Sequence, residues 1–309
     1  MQPPVRGMTS MKPLVALPAL LLCLASAGVG AADAAACRST ATGDLRLHTL
    51  QSQVFRNSRQ IRVLLPDGYD APENKDRRYP VLYMLDGQNL FDACLSDVSH
   101  REWQLDETVR RLVAEGRIPP MIVVGVDHAG ADRAREYLPY TDYLTDPDMQ
   151  PQGRRFPEFL VREVLPLVNG NYRTLTGHAN TGLGGSSYGG VATLYALMAR
   201  PNEFGYGLIE SPSLQIGMGQ LVRETDPFIA RPVKVFIGFG GREFDSDVGN
   251  ELMVGLCRRV DRNLRNQGYD DAHLRFVLTP DAQHNEDAWA LRLPEALAFL
   301  FGDWKATQQ

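Results

Sequence analysis

One serine lies in a spacing that suits nucleophilic catalysis. Gly185, Ser187 and Gly189 form the pattern Gly-x-Ser-x-Gly. This pattern places the serine on a tight turn between a strand and a helix, where small neighbours let the two elements approach closely. The backbone N–H of Tyr188 then points toward the oxyanion that forms when the serine attacks a carbonyl group. Ser186 does not fit the pattern, because Tyr188 occupies its second glycine position.

A glycine-rich turn without chemistry is the alternative interpretation, because the chain contains 28 glycines. The context favours the nucleophile. An apolar segment centred on Leu183 precedes the turn, and a helical pattern over Val191–Met198 follows it. A dinucleotide-binding Gly-x-Gly-x-x-Gly is excluded, because Ser187 stands at its third glycine position.

The general base must be a histidine that follows the serine in the chain. Of the six histidines, His273 and His284 follow it by enough residues. His284 lies in the loop just past the predicted strand Leu274–Leu278, where its ring can reach the edge of a sheet. His273 lies at the start of that strand, where a solvated position is expected. We therefore predict His284 as the base; an ordinary loop histidine is the alternative.

The acid that orients the base is expected after the preceding strand, predicted at Val233–Phe239. Three carboxylates follow there, at Glu243, Asp245 and Asp247. Glu243 comes first after the glycine turn and is the predicted acid, with Asp245 second. A carboxylate that does not act on the histidine is expected to be a surface charge or a helix N-terminal charge.

A second oxyanion donor is expected from the loop after an early central strand. The segment Asp86-Gly87-Gln88-Asn89 follows the apolar run Val81–Leu85. We predict the N–H of Gln88 as the donor beside that of Tyr188, with Gly87 as the alternative.

Substrate contacts are predicted less directly, at Gly87, Trp103, Asp127 and Tyr137. Core packing is an equal alternative for the aromatic residues. Asp127, at the end of a strand, would either bind substrate or anchor a turn. No Cys-x-x-Cys or His-Glu-x-x-His spacing occurs, so the sequence predicts no metal and no cofactor.

The fold follows from short apolar runs that alternate with amphipathic helical patterns. Unbroken apolar strands of this kind predict a mostly parallel sheet with helices on both faces, an α/β fold. No internal repeat and no linker divides the chain, and no segment suggests a large cap. The polar stretch 129–153 is predicted to be a long loop at the carboxyl edge of the sheet.

Residues 1–32 show the basic, apolar, small-residue order of a secretory signal peptide, and 33–309 are predicted to form one catalytic domain. A membrane anchor is the alternative, but Pro18 interrupts the apolar run. A periplasmic or secreted protein is therefore expected, without stable membrane insertion after cleavage. Cys37, Cys94 and Cys257 would remain, which permits at most one bridge and leaves the pairing open. The net charge of −5 and the absence of a polybasic block argue against nucleic-acid binding.

Several segments resemble the putative esterase family, which includes esterase D, the antigen 85 mycolyltransferases and enterochelin-esterase-like proteins. The resemblance runs from about Gln51 to Asp303 and rests on these stretches: Pro80–Asp92, Val124–Asp127, Arg135–Tyr137, Gly185–Gly190, His284–Glu286, Trp289 and Arg292–Leu297. It implies an α/β-hydrolase fold and an acyl-ester hydrolase or acyltransferase, and it places the acid at Glu243. Tyr188 stands where many members carry methionine.

The resulting hypothesis is an exported serine esterase that uses Ser187, His284 and Glu243 to hydrolyse a carbohydrate, siderophore or short-chain ester. The first alternative is an acyltransferase with the same triad and a sugar or glycerol acceptor. The second is a non-catalytic binding module on the same fold. A peptidase is a weaker alternative, because nothing in the chain suggests a domain that selects peptides.

Overall fold

A single mixed β-sheet organises the chain. The computed structural model describes residues 37–97, 100–226 and 234–305. Within these ranges the strands are β1 (Asp44–Gln51), β2 (Ser58–Leu65), β3 (Val81–Leu85), β4 (Ile122–Val126), β5 (Thr181–Ser186), β6 (Tyr206–Glu210), β7 (Lys234–Gly240) and β8 (Leu274–Thr279).

The strands lie in the order β1-β2-β4-β3-β5-β6-β7-β8. Strand β2 is antiparallel to both β1 and β4, whereas β3 to β8 run parallel. The mostly parallel α/β sheet predicted from the sequence is thereby confirmed. Because parallel strands end at one edge, the loops after β3, β4, β5, β7 and β8 meet there.

Helices cover both faces of the sheet. They are α1 (Leu105–Ala114), α2 (Arg133–Tyr137), α3 (Phe156–Phe159), α4 (Leu165–Asn171), α5 (Tyr188–Ala199), α6 (Ile216–Glu224), α7 (Asp247–Asn266) and α8 (Glu286–Phe301), with a π-helical turn at Leu160–Val164 between α3 and α4. The predicted loop 129–153 contains the short helix α2.

The side chains of β3 pack alternately into the hydrophobic clusters on the two faces of the sheet. Leu82 and Met84 pack with α1 and α8 on one face. Val81, Tyr83 and Leu85 belong to the larger cluster on the other face, which includes residues of α5 and α7. Successive side chains of a strand point to opposite faces, so a strand buried on both sides is apolar throughout.

The two longest helices, α7 and α8, follow the loops after β7 and β8, and each begins at a side-chain cap. Ser246 accepts from the N–H of Gly249 at 3.0 Å at the start of α7. Asn285 accepts from the N–H of Ala288 at 3.0 Å at the start of α8. Such caps satisfy N–H groups that the first helical turn leaves free, and the Asn285 cap places His284 immediately before α8.

The described residues from Arg38 onward form one compact unit. The predicted signal peptide, 1–32, lies outside the described residues. In the described ranges, no helix is long and apolar enough to span a membrane. Cys37 and Cys94 are each disulfide-bonded, whereas Cys257 is a free, buried thiol.

Candidate active site

Ser187 lies at the sharp turn between β5 and α5. Its backbone angles are φ 56° and ψ −122°, a conformation that residues other than glycine rarely adopt. Its glycine neighbours are required by close approach. A Cβ at Gly185 would lie 2.9 Å from the backbone of Gly189, and one at Gly189 would lie 3.1 Å from an oxygen of Asp86. The Gly-x-Ser-x-Gly spacing thus reflects the tight strand–helix contact.

His284 and Glu243 come together from loops 41 residues apart in sequence. His284 Nδ1 lies 2.8 Å from Glu243 Oε2, and His284 shares a cavity with Ser187. The Glu243 side chain is fully buried, whereas His284 is partly exposed. Asp245, the second candidate acid, is exposed. A buried carboxylate on Nδ1 fixes the tautomer that leaves Nε2 free to accept a proton.

The other oxygen of Glu243 is held by two donors. The N–H of Gly240 and the hydroxyl of Ser211 each donate to Oε1 at 2.5 Å. Ser211 Oγ in turn accepts from Trp289 Nε1 at 2.9 Å. The Trp289 ring also lies edge-on to His284, with ring centroids 5.3 Å apart. Both oxygens of Glu243 are therefore held, and Trp289 contacts both His284 and the serine that donates to Glu243.

A buried ion pair lies behind this network. Arg292 donates to Glu210 Oε2 at 2.9 and 2.7 Å, and both side chains are almost fully inaccessible to solvent. Burial raises the pKa of Glu210 to about 7, although Arg292 opposes the shift. Glu210 is the last residue of β6 and directly precedes Ser211, so the pair anchors the strand end from which the Ser211 hydroxyl reaches Glu243.

The loop after β3 makes the turn expected of a second oxyanion donor. Asp86 has left-handed backbone angles, φ 57° and ψ 49°. A Cβ on Gly87 would lie 2.6 Å from both Asp127 and the backbone of Gly125, so only glycine fits. Among the described residues, no acceptor lies on the backbone N–H of Gln88 or of Tyr188. The side chain of Gln88 contacts Asp97 and the N–H of His128.

The cavity beside Ser187 is small, and both aromatic and charged side chains line it. Its volume is about 250 Å³. Charged groups on its wall are largely paired: Arg133 binds Asp86 through two hydrogen bonds of 2.7 Å, and His128 Nε2 lies 2.8 Å from Asp97. The complete lining is Asp86, Asn89, Asp97, Trp103, His128, Arg133, Ser186, Ser187, His284, Glu286 and Trp289.

Of the predicted substrate contacts, Trp103 lines the cavity, whereas Tyr137 and Asp127 lie outside it. Trp103 lines the cavity, and its ring packs against Trp289 with centroids 5.5 Å apart. Tyr137 is fully buried, and its hydroxyl accepts from the N–H of Asp86 at 3.2 Å. Asp127 binds Arg62 through bonds of 2.7 and 2.8 Å, and burial raises its pKa. Tyr137 and Asp127 thus shape the turn that carries Gly87, and neither lines the cavity.

Sequence reasoning missed several residues at the site. Ser213 Oγ lies 3.4 Å from Ser187 Oγ, and the hydroxyl of Ser211 donates to Glu243. Arg133 and Glu286 line the cavity. The one available signal was proximity in sequence, because Glu286 follows His284 by two residues. In the described part of the chain, no cluster of three or more His, Cys, Asp or Glu side chains is arranged to hold a metal ion.

A sheet in this strand order, with a serine on the strained turn after β5, defines an α/β-hydrolase. The model of the family described as putative esterase matches residues 52–300, so the chain belongs to that family. The predicted resemblance is confirmed, and the protein is a carboxylic ester hydrolase.

Relatives with assigned activities are similar over most of the domain. Ferri-bacillibactin esterase BesA of Bacillus subtilis is 24% identical, over 67% of this chain and 81% of its own. A ferulic acid esterase from Anaeromyces mucronatus superposes with a TM-score of 0.59 at 26% identity, covering 84% of this chain and 91% of its own. An IroE-like serine hydrolase from Shewanella oneidensis superposes with a TM-score of 0.67 at 21% identity, covering 85% and 82%.

Proposed function

We propose that this protein is an exported serine esterase in which Ser187 is the nucleophile, His284 the general base and Glu243 the orienting acid. The observation that carries the proposal is the hydrogen bond between His284 Nδ1 and the buried carboxylate of Glu243, in the cavity that also contains Ser187. A partly exposed histidine held by a buried carboxylate has no evident structural purpose.

The reaction follows from this geometry. His284 Nε2 accepts the proton of the Ser187 hydroxyl as Oγ bonds to the ester carbonyl carbon. The resulting oxyanion accepts from the N–H groups of Gln88 and Tyr188, each worth about 2.7–4 kcal/mol in the transition state. The C–O bond to the alcohol then breaks, and His284 returns the proton to the departing oxygen. Water attacks the acyl-enzyme by the same steps and releases the acid.

The substrate class proposed is a carbohydrate, siderophore or short-chain ester. The names of BesA and of the ferulic acid esterase, which refer to ferri-bacillibactin and to ferulic acid, support esters of this kind. The cavity of about 250 Å³, lined by two tryptophans as well as charged side chains, favours a compact ester over a long aliphatic one.

Export is supported by the cysteines. Cys37 and Cys94 are each disulfide-bonded, and disulfides persist mainly in oxidising compartments. Together with the signal-like sequence of residues 1–32, this favours a periplasmic or secreted protein. Fractionation of cells that produce the full chain tests it: mature protein in the periplasm or medium is expected, and full-length protein in the cytoplasm would contradict export.

The mechanism is tested by hydrolysis of p-nitrophenyl acetate and butyrate. Ser187→Ala and His284→Ala should each reduce turnover by several orders of magnitude. His273→Ala is the matched control, because the His273 side chain is partly exposed and its one hydrogen bond among the described residues is to Asp270. Fluorophosphonate should label Ser187, identified by mass spectrometry. Labelling of Ser186 or Ser213 instead would overturn the assignment.

The acid is tested separately, with Glu243→Gln against Asp245→Asn. Only the first should lower turnover, because only Glu243 contacts His284. Activity of the wild type should fall at acid pH as His284 becomes protonated and cannot act as a base. A rate that stays constant from pH 5 to 8 would count against His284.

A further inference from the structure

Glu286 is a buried carboxylate in the cavity that the triad does not use. It is the first residue of α8 and only 2% exposed. It lines the same cavity as Ser187 and His284. Its Oε2 atom is inaccessible to solvent and has no hydrogen-bond partner in the described ranges. A buried polar atom without a partner is costly, so this one requires an explanation.

The start of the helix does not supply that explanation. Asn285 already caps α8, and the Glu286 carboxylate interacts with its own backbone N–H. Its Oε2 atom is left without a hydrogen-bond donor. The next residue, Asp287, shows the ordinary behaviour of an acid in a first helical turn. It is exposed, and it pairs with Arg101 at 3.2 Å.

Arg133 and His128, which also line the cavity, are already engaged with other carboxylates. Both hydrogen bonds of the Arg133 fork go to Asp86, and His128 contacts Asp97. Burial, with a smaller contribution from the charge of Asp86, raises the pKa of Glu286, while His284 and Arg133 oppose the shift. Glu286 Oε2 lacks a hydrogen-bond donor, and Glu286 lines the cavity in which an ester would bind.

The position of Glu286 indicates which part of an ester would carry the donor. In the proposed mechanism His284 protonates the departing alcohol oxygen, so the alcohol must lie against His284. Glu286 follows His284 by two residues and faces the same cavity. The alcohol portion is therefore the part of the substrate nearest to Glu286.

We propose that Glu286 is a specificity-determining residue that accepts a hydrogen bond from a donor on the leaving alcohol, so that the preferred substrates are esters of polyols or of amino alcohols. The proposal rests on the proposed serine esterase function. The shared chemistry is a hydroxyl or ammonium donor close to the ester oxygen. A site built to bind such a donor rejects the analogue that lacks it.

Two matched pairs of butyrate esters test the proposal. 2-Hydroxyethyl butyrate is compared with n-propyl butyrate, and 2-(dimethylamino)ethyl butyrate, protonated at neutral pH, with 3-methylbutyl butyrate. The kcat/KM of the wild type should favour the donor-bearing member of at least one pair by about ten-fold or more. The pair that shows the preference identifies the donor as hydroxyl or ammonium.

Variants of Glu286 assign the preference to this residue. Glu286→Leu should abolish it, so that the two members of each pair are hydrolysed with equal kcat/KM. Glu286→Gln keeps an acceptor oxygen and should retain a hydroxyl preference but lose an ammonium preference. Asp287→Asn removes the same charge one residue away, outside the cavity, and should behave as wild type. If Glu286→Leu does not fold, Glu286→Gln still tests an ammonium preference directly.

Three results would overturn the proposal: equal kcat/KM within both pairs in the wild type, a preference that survives in Glu286→Leu, or an equal loss on all esters with a shifted pH–rate profile. The last would mean that Glu286 acts through His284. Failure of the proposed esterase function looks different, because wild type would then leave p-nitrophenyl butyrate intact as well.

Discussion

The hydroxyl of Ser211 lies 2.5 Å from Oε1 of Glu243, on the side of the carboxylate opposite to His284. Ser211 reaches this position with a left-handed backbone, φ 43°, at the end of β6. A strained residue that donates to a buried carboxylate is typical of a group that holds a functional side chain in place. Ser211 is therefore a positioning residue for the proposed acid.

Loss of the Ser211 hydroxyl should lower turnover without removing the triad. Ser211→Ala and Ser211→Gly both delete the donor to Glu243 and leave Trp289 Nε1 without its acceptor. A hydrogen bond to a charged group is worth about 1.5–3 kcal/mol, so we expect kcat to fall about ten-fold or more with little change in KM.

The two Ser211 variants control for each other. Glycine relieves the left-handed backbone and alanine does not, so their melting temperatures should differ while their kcat values agree. If kcat instead follows the melting temperature, Ser211 contributes to stability alone.

Gly87→Ala should disturb both stability and catalysis. The added Cβ would lie 2.6 Å from Asp127 Oδ1 and from a backbone carbon of Gly125, so the turn that carries the Gln88 N–H must move. Overpacking of this kind costs about 1–3 kcal/mol. Urea unfolding and ester hydrolysis measure the two effects.

Gly170→Ala is the matched control, because a Cβ there meets no atom within 4 Å in helix α4. It should leave hydrolysis unchanged and stability equal or slightly higher. If Gly87→Ala retained full stability and activity, the tight turn would not be needed.

Removal of Arg292 should make the free energy of unfolding depend more strongly on pH, because Glu210 then stays buried without its partner. Burial raises the pKa of Glu210 to about 7, so the folded state binds a proton more readily than the unfolded chain. The contribution of Glu210 to the free energy of unfolding therefore falls as the pH rises above the ordinary pKa of a glutamate side chain. Arg292 opposes the shift, so Arg292→Met should enlarge that fall. We expect it to cost about 3–5 kcal/mol at pH 8 and markedly less at pH 5.

The double variant Glu210→Gln/Arg292→Met tests the cause of that loss. It removes both charges, so the fall that Arg292→Met adds should disappear, and the unfolding free energy should depend on pH less than in wild type. A loss in Arg292→Met that is the same at both pH values would indicate lost packing instead of an unpaired carboxylate.

Cys257 should not react with iodoacetamide in the folded protein. It is fully buried in α7, and burial raises the pKa of its thiol well above the ordinary value, so the reactive thiolate is scarce. Peptide mapping should find Cys257 alkylated only after unfolding in guanidinium. Rapid labelling of the native protein would contradict its buried position.

The sequence predicts the parallel sheet and the places of Ser187, His284 and Glu243, because apolar runs and chain order carry that information. It does not predict β1, an edge strand that contains no fully buried residue and so lacks the apolar run that marks the inner strands. The partners Arg133 and Asp86 lie 47 residues apart. Only folding brings such groups together. Asp127 appears in the sequence as a residue at a strand end, and its pairing with Arg62 depends on the register of β2 with β4.

The first turn of α8 concentrates function in a short segment: His284 precedes the Asn285 cap, and Glu286 and Trp289 follow it. Fraying of this one turn would remove the base, the proposed acceptor and the indole that supports Ser211 together. Inactivation on mild heating should then precede global unfolding. The amide protons of Ala288 and Trp289 should exchange with solvent sooner than those in the middle of the helix, and their exchange rate would set how long the enzyme remains active at a given temperature.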